Sequence, residues 1–479
     1  MCLVFDRALL HDRIEKGWKI TEAMAGEEIM ERTDVLVIGG SAAGIVAATT
    51  GKSFHPHLDF TLIRKEPKVV VPCGIPYIFG SLETSDDDVI PDAMLSKAGV
   101  GVQIGEVVSI DPQAKVCRTA EGEETSFDRL VLALGSTPNI PTWLRGSDLE
   151  NVFTIPKDKA YLDGMARDLE KCENVVVVGG GFIGVEVSDE LHKAGKNVTL
   201  VEILPHILEL AFDEEFAIKA EDVLRSRGVR IVAGDGVKEI LGSTKVTGVA
   251  LNSGEELGAD AVVLAMGYRP NTALAGEAGI ALNEMGFIEV DEYMRTKDPT
   301  IFAVGDCAEK KSFITRTLKD TMLASTACAE ARIAALNLYR LSAVKTFGGT
   351  IAIYSTVIGD TAFGVAGVTE SLANERGFNI TTGTFEGVDR HPGKLPGTHA
   401  QMVKLIATRE AGVLIGGQVM GGGSTGELTN LIGVAIENRM SVNAILTAQV
   451  GTHPLLTAAP TVYPLIKAAE VIAKERWMA

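Results

Sequence analysis

The chain has 479 residues, enough for two or three domains with separate cores. Hydrophobic residues make up 46% and charged residues 23%, with a formal net charge of −18, which argues against nucleic acid or an anionic membrane surface as partner. No apolar run reaches 18 residues, so no membrane span is expected, and the charges recurring from Asp6 to Glu28 do not read as a signal peptide. A cytoplasmic protein is the expectation. The six cysteines, Cys2, Cys73, Cys117, Cys172, Cys307 and Cys328, form no CxxC or CxxxxC pair. That spacing speaks against a disulfide framework and against structural zinc; no metal site is expected.

Residues 1–30 show weak helical periodicity and read as an N-terminal extension. Asp34 to Ile38 is a continuous β-branched run, the pattern of a strand buried on both faces. Gly39, Ser41 and Gly44 then occupy the three places of GxGxxG, and a helical stretch follows. Such a turn presents backbone N–H groups and a helix N-terminus to a pyrophosphate. Ser41 stands where glycine is usual. The next strand, Asp59 to Ile63, is followed by Arg64 and, two places on, Glu66, where an acid is expected to hold a ribose.

The second unit is complete. Val175 to Val178 is followed by Gly179, Gly181 and Gly184, a helix, and a strand ending at Glu202, 23 positions after Gly179. Glu202 is placed to accept from a ribose 2′-hydroxyl, and the Ile203-Leu204-Pro205 that follows holds no arginine for a 2′-phosphate. This favours NADH, with NADPH the other candidate. Phe127 to Pro138 and Gly258 to Pro270 echo one another: an apolar strand, a glycine, and a proline-bearing loop that returns the chain between domains. Thr300 to Asp306 is a strand ending in Gly305 and Asp306, a carboxylate able to accept from a flavin's ribityl hydroxyls or to cap a helix. From about Gly348 short glycine-punctuated segments precede a strand and a helix starting near Thr425, an α+β texture with apolar faces suited to a dimer interface.

From about Asp34 onward the chain resembles the flavoprotein disulfide reductases with two dinucleotide-binding domains. The motifs are GGSAAG at 39–44, PCGIPY at 72–77, ALGSTP at 133–138, GGGFIG at 179–184, MGYRPN at 266–271 and TIFAVGD at 300–306. It is most similar to the single-cysteine branch of CoA-disulfide reductases, NADH oxidases and NAD(P)H-dependent persulfide or polysulfide reductases. The resemblance implies an α/β fold of two Rossmann-like domains and an α+β dimerisation domain. The boundaries read as an extension at 1–30, an FAD domain at 31–150 and 270–340, an NAD domain at 151–269 and a dimerisation domain at 341–479.

It implies FAD at Gly39, Ser41, Ala42, Ala43, Gly44, Pro72, Ala133, Gly135, Gly305 and Asp306, with Arg64 and Glu66 at the ribose edge. It implies NAD at Gly179, Gly181, Phe182, Ile183, Gly184, Glu202 and Gly267. It also implies a homodimer in which the second subunit closes the active site.

Three departures stand out. No second cysteine lies four or five places from Cys73; Ala458 stands where a glutamate would pair with His453; and Val69 to Pro72 are more apolar than is usual before the cysteine of CoA-disulfide reductases.

Cys73 is read as the reactive thiol, with the helix after it lowering its pKa. The resemblance implies hydride transfer from NADH through FAD to Cys73, whose thiolate attacks a persulfide, polysulfide or CoA disulfide, with CoA or CoA persulfide a candidate substrate. His453 or water supplies the proton. One alternative is an NADH oxidase that reduces oxygen or peroxide through a Cys73 sulfenic acid. A third reading is an electron-transfer flavoprotein reductase for a protein partner.

Overall fold

The computed structural model describes residues 31–342 and 344–478, so the 1–30 extension lies outside the described residues. The strand Glu31–Ile38 lies at the centre of the first sheet, parallel to Phe60–Arg64 on one side and to Glu124–Leu132 on the other. Val35, Leu36 and Val37 are fully buried, as a strand covered on both faces requires. The C-terminal end of Glu124–Leu132 also pairs in parallel with Ile301–Ala303, which brings Asp306 back to the tip of the first strand after an excursion of more than a hundred residues.

That excursion is the second unit. Its five strands are all parallel, in the order Arg230–Ala233, Asn197–Glu202, Asn174–Val178, Ala261–Leu264, Val152–Thr154. A three-stranded antiparallel sheet, 237–258, is attached to it. The two echoing loops prove to be each other's partners. Ser136–Pro138 pairs antiparallel with Tyr268–Pro270, so the chain's two crossings between units form one ribbon.

The C-terminal unit is an antiparallel sheet ordered Tyr354–Ile358, Thr361–Gly367, Leu414–Gly421, Ala400–Thr408, Ile380–Val388. The helices Thr425–Glu437 and Pro464–Met478 lie against it. On the first of these, Leu428, Ile432 and Ile436 are buried while Leu431 and Val434 stay exposed, as do Leu455, Leu456 and Val462 nearby in sequence. No helix among the described residues is long and apolar enough to cross a membrane.

The units are tied by charge as well as by packing. Lys404, on the C-terminal sheet, is 5% exposed and reaches Asp213 at 3.0 Å, Glu215 at 2.5 Å and Glu370 at 2.7 Å. Asp213 belongs to the second unit and also accepts from the Glu370 and Ser371 N–H groups at 3.1 Å each.

Candidate active site

The two glycine turns are built alike. Gly39 has φ +112°, and a Cβ there would stand 2.1 Å from the Ala133 carbonyl oxygen; Gly179 has φ +109°, with the Ala265 carbonyl at 2.4 Å. A Cβ at Gly44 would lie 1.8 Å from the Gly39 carbonyl oxygen, and one at Gly184 1.8 Å from that of Gly179. Strand, turn and helix therefore close on themselves with no room for a side chain at these points. Ser41 and Gly181 are the N-caps of Ala42–Phe54 and Phe182–Lys193; Ala42 opens the first helix and Ala43 is buried in it. By contrast, a Cβ at Gly181, Gly135 or Gly267 would meet no atom of the chain within 4 Å. Tight turns beside open space, at the N-termini of helices, fit a dinucleotide pyrophosphate in both units.

The ribose edges differ. Glu202 accepts from the Gly180 N–H at 2.5 Å and from the Leu204 N–H at 2.8 Å, so its carboxylate is locked at the turn. Arg64 holds the matching place in the first unit. Its guanidinium is engaged inside the protein, by both Asp92 carboxylate oxygens at 2.7 Å, the Glu66 carbonyl at 2.9 Å and the Pro67 carbonyl at 3.0 Å. Arg64, expected at the ribose edge, thus spends most of its donors on contacts inside the protein. Glu66 is half-buried beside it and lends its carbonyl. Asp92, 28 positions on, holds that guanidinium in place, and no sequence signal pointed to it.

Cys73 is exposed, whereas Cys117, Cys172 and Cys307 are buried. Burial pushes the Cys117 thiol up to about 12 and that of Cys307 to about 11, consistent with inert packing. Pro72, half-buried, leads into Cys73, and Val70, Ile75, Ile78 and Phe79 around them are buried with residues of the second unit and with Ile358, Phe363, Val365 and Met402 of the C-terminal unit. The thiol is therefore held where all three units meet.

The helix expected after Cys73 is a short 3₁₀ turn, Ile75–Phe79, with Gly74 as its N-cap. The Cys73 thiol is raised, first by desolvation and then by Glu186, with Asp306 and Asp88 adding to the effect and Lys157 opposing it. This corrects the expectation of a helix-activated thiolate: desolvation first, and Glu186 after it, outweigh what Lys157 contributes to the anion.

Lys157 bridges the site. Its ammonium lies 2.6 Å from Asp306 Oδ2 and donates to Ser136 Oγ at 2.9 Å, while Ser136 donates to the same carboxylate at 2.7 Å. Burial raises Asp306 but Lys157 and Ser136 bring it below the usual carboxylate range, so it is an anion. Below it, Gly305 (φ +77°) donates its N–H to buried Glu330 at 2.8 Å.

Glu186, half-buried on the Phe182–Lys193 helix, accepts from Thr356 of the C-terminal unit at 2.7 Å. Burial pushes it up to about 7, against the Thr356 bond and with help from Glu190. On the same helix Phe182 stacks on Tyr354 at 4.9 Å between ring centroids, and Ile183 packs into the core beside it. Sequence reasoning missed Lys157 and Glu186; each is one charged residue on a charged surface pattern, and only the fold turns them toward Cys73.

His453 is exposed on the 451–459 segment. Its Nδ1 accepts from the Leu455 N–H at 3.3 Å and its own N–H donates to Thr457 Oγ1 at 3.0 Å; Ala458 beside it is buried. A second histidine joins this segment: His391 Nδ1 donates to the Thr457 carbonyl at 3.0 Å, which leaves its Nε2 as the acceptor.

Two dinucleotide turns, a redox-capable thiol between them and an antiparallel C-terminal unit define a nucleotide-dependent oxidoreductase. The chain belongs to the pyridine nucleotide-disulphide oxidoreductase family, whose profile matches residues 33–331, with the family's dimerisation domain at 353–462. The NADH oxidase of Methanocaldococcus jannaschii is 30% identical over 423 residues, which are 86% of this chain and 92% of that protein. The NAD(P)H coenzyme A polysulfide/persulfide reductase of Pyrococcus horikoshii is 31% identical over 403 residues, 83% of this chain and 88% of that one. The solved structure of an NAD-dependent persulfide reductase from A. fulgidus matches with a TM-score of 0.86 at 28% identity, covering 93% of this chain and 84% of that chain.

Proposed function

We infer that the protein is an NADH-dependent reductase acting through Cys73 on sulfane sulfur, in a persulfide or polysulfide, or on CoA disulfide. FAD, when bound, supplies the two-electron link between NADH and the thiol. The first glycine turn, Gly39 to Gly44, holds its pyrophosphate, with Pro72, Ala133 and Gly135 beside it and Asp306 on its polyol chain. Gly179 to Gly184, Glu202 and Gly267 hold NADH. Glu202 lies ready for a 2′-hydroxyl, and the neutral Ile203 and Leu204 offer a 2′-phosphate no cation.

Cys73 attacks sulfur as a thiolate, so its proton must leave first. Lys157 favours the anion, and Glu186, titrating near neutral pH, exchanges the proton. The dimer brings the 389–399 and 451–459 segments of a second copy to the cleft, where His453 serves as proton donor with His391 beside it. A cytoplasmic setting, which keeps thiols reduced, suits this chemistry.

The observation carrying this reading is an accessible thiol on a segment packed between both nucleotide units and flanked by Lys157, Glu186 and Asp306. The test is anaerobic turnover with NADH and a panel of polysulfide, CoA persulfide and CoA disulfide. Cys73→Ser should lose turnover with all three and keep NADH-dependent bleaching of the flavin; wild-type turnover in that variant refutes the assignment. Similarity to an archaeal NADH oxidase favours a second reading, oxygen reduction at the same thiol through a sulfenic acid. NADH turnover in air that exceeds every anaerobic rate would select it.

A further inference from the structure

Beneath Cys73 lies a carboxyl group that no step above uses. Asp88 ends the short turn Ser85–Asp88 and is 4% exposed. Its Oδ2 is enclosed without a hydrogen-bond partner. A small ladder sets its position: the Val71 N–H donates to the Asp88 carbonyl at 2.8 Å, the Ile90 N–H donates to that of Val69 at 2.8 Å, and Val70 bridges Val89. The Asp88 side chain is thereby pressed against the backbone of the residue following the nucleophile. A Cβ at Gly74 would stand 1.8 Å from Asp88 Oδ1, so only glycine leaves room for the carboxyl there.

We propose that Asp88 and Cys73 titrate as one unit, in which an anion on either side chain holds the other neutral, so that Asp88 takes up a proton when Cys73 becomes a thiolate. The proposal rests on Cys73 being the reactive thiol. A buried carboxylate with no donor is costly to ionise, and a second anion close by raises that cost. Burial alone already pushes Asp88 up to about 6.

The cations nearest in the fold are committed elsewhere. Lys68 pairs with Asp86 at 2.7 Å, and Lys159 pairs with Asp86 at 3.4 Å and Asp163 at 3.1 Å. Asp87 caps the Thr84 N–H at 3.0 Å. Around Cys73 itself the charged groups are Glu186 from the 182–193 helix, Asp306 from the end of the 301–303 strand and Lys157, with Tyr77 on the adjoining turn raised to about 12 by burial and by the acids of that helix. Asp88 is the one of these acids that lies directly under the Cys73–Gly74 backbone. A resting thiol is thus kept neutral and slow to oxidise, while a carboxyl able to take up a proton lies against the Gly74 backbone that follows it.

The experiment is alkylation of Cys73 by iodoacetamide in the reduced holoenzyme, followed peptide by peptide across pH 5 to 10, for wild type and Asp88→Asn. The amide keeps the shape and removes the charge. The midpoint of Cys73 alkylation should move to lower pH by about one unit, which makes alkylation roughly tenfold faster at neutral pH. An unmoved midpoint in a variant with full flavin content and unchanged melting temperature overturns the coupling.

A second measurement needs no altered Asp88. With aspartate carrying a ¹³C carboxyl, the reduced-minus-oxidised infrared difference spectrum of wild type should show a protonated aspartate appearing on reduction, absent in Cys73→Ser. No aspartate band in wild type overturns the proposal. If Cys73 fails to alkylate at any pH in a flavin-replete enzyme, its reading as the reactive thiol falls, and the coupling with it.

Discussion

Alanine at Gly181 and at Gly184 should separate the demands of the protein from those of its ligand. A methyl group at Gly184 would lie 1.8 Å from the Gly179 carbonyl oxygen, so strand and helix must part to admit it. Overpacking of this kind costs about 1–3 kcal/mol, and a backbone obstacle puts it at the upper end. Gly181 has an ordinary extended conformation, φ −73° and ψ −177°, and a Cβ there meets nothing in the chain. Its cost to folding is limited to alanine's weaker N-capping, roughly 0.5–1 kcal/mol. The space the methyl enters is, however, where we propose the pyrophosphate of NADH to lie. Gly181→Ala should therefore melt near wild type without NADH and keep its flavin. Its NADH affinity should fall on the order of tenfold, the equivalent of ~1.4 kcal/mol. Gly184→Ala should lose both stability and NADH affinity. Flavin absorbance, melting curves without nucleotide and anaerobic stopped-flow reduction at varied NADH measure the three quantities. Unchanged NADH affinity in Gly181→Ala would refute the placement of the nucleotide on this turn.

Glu186→Gln should change the pH dependence of stability. Burial lifts Glu186 from its ordinary 4.5 to about 7, so between these values the folded state holds a proton that the unfolded state releases. Wild-type stability contributed by this group is full below about pH 4.5 and lost as pH rises through 7, by about 3 kcal/mol. The glutamine variant should therefore melt higher than wild type at pH 8 but not at pH 4.5; a parallel offset at both pH values would contradict the assignment. Lys404→Met should destabilise the protein by about 3 kcal/mol, because it leaves the buried Asp213 anion with backbone and amide donors but no cation. Denaturant melts at pH 7 measure this, and a loss under 1 kcal/mol would show that the hydrogen bonds suffice.

Much of the architecture was legible because its signals are local. A continuous run such as Val35 to Ile38, a glycine turn and a helix report a parallel strand-turn-helix unit within about twenty residues, and the chain carries the pattern twice. The pairing of Ser136–Pro138 with Tyr268–Pro270 was foreshadowed by likeness of sequence, though not as a contact. Arg64 shows where such reading ends. Its place at the strand's end was evident, but its commitment to Asp92 depends on a residue delivered by another element.

The order of strands, turns and helices, and the cysteine singled out by VPCGIPY, follow from the amino-acid sequence alone, since hydrophobic period and glycine spacing act between near neighbours along the chain. The electrostatics of Cys73 do not. Desolvation, then Glu186, Asp306 and Asp88 from three separate segments, outweigh Lys157 from a fourth and reverse the expectation of a lowered thiol pKa. Coulomb interactions depend on distance in space, and burial on what covers a group, so only the folded chain could decide which charges that sulfur meets.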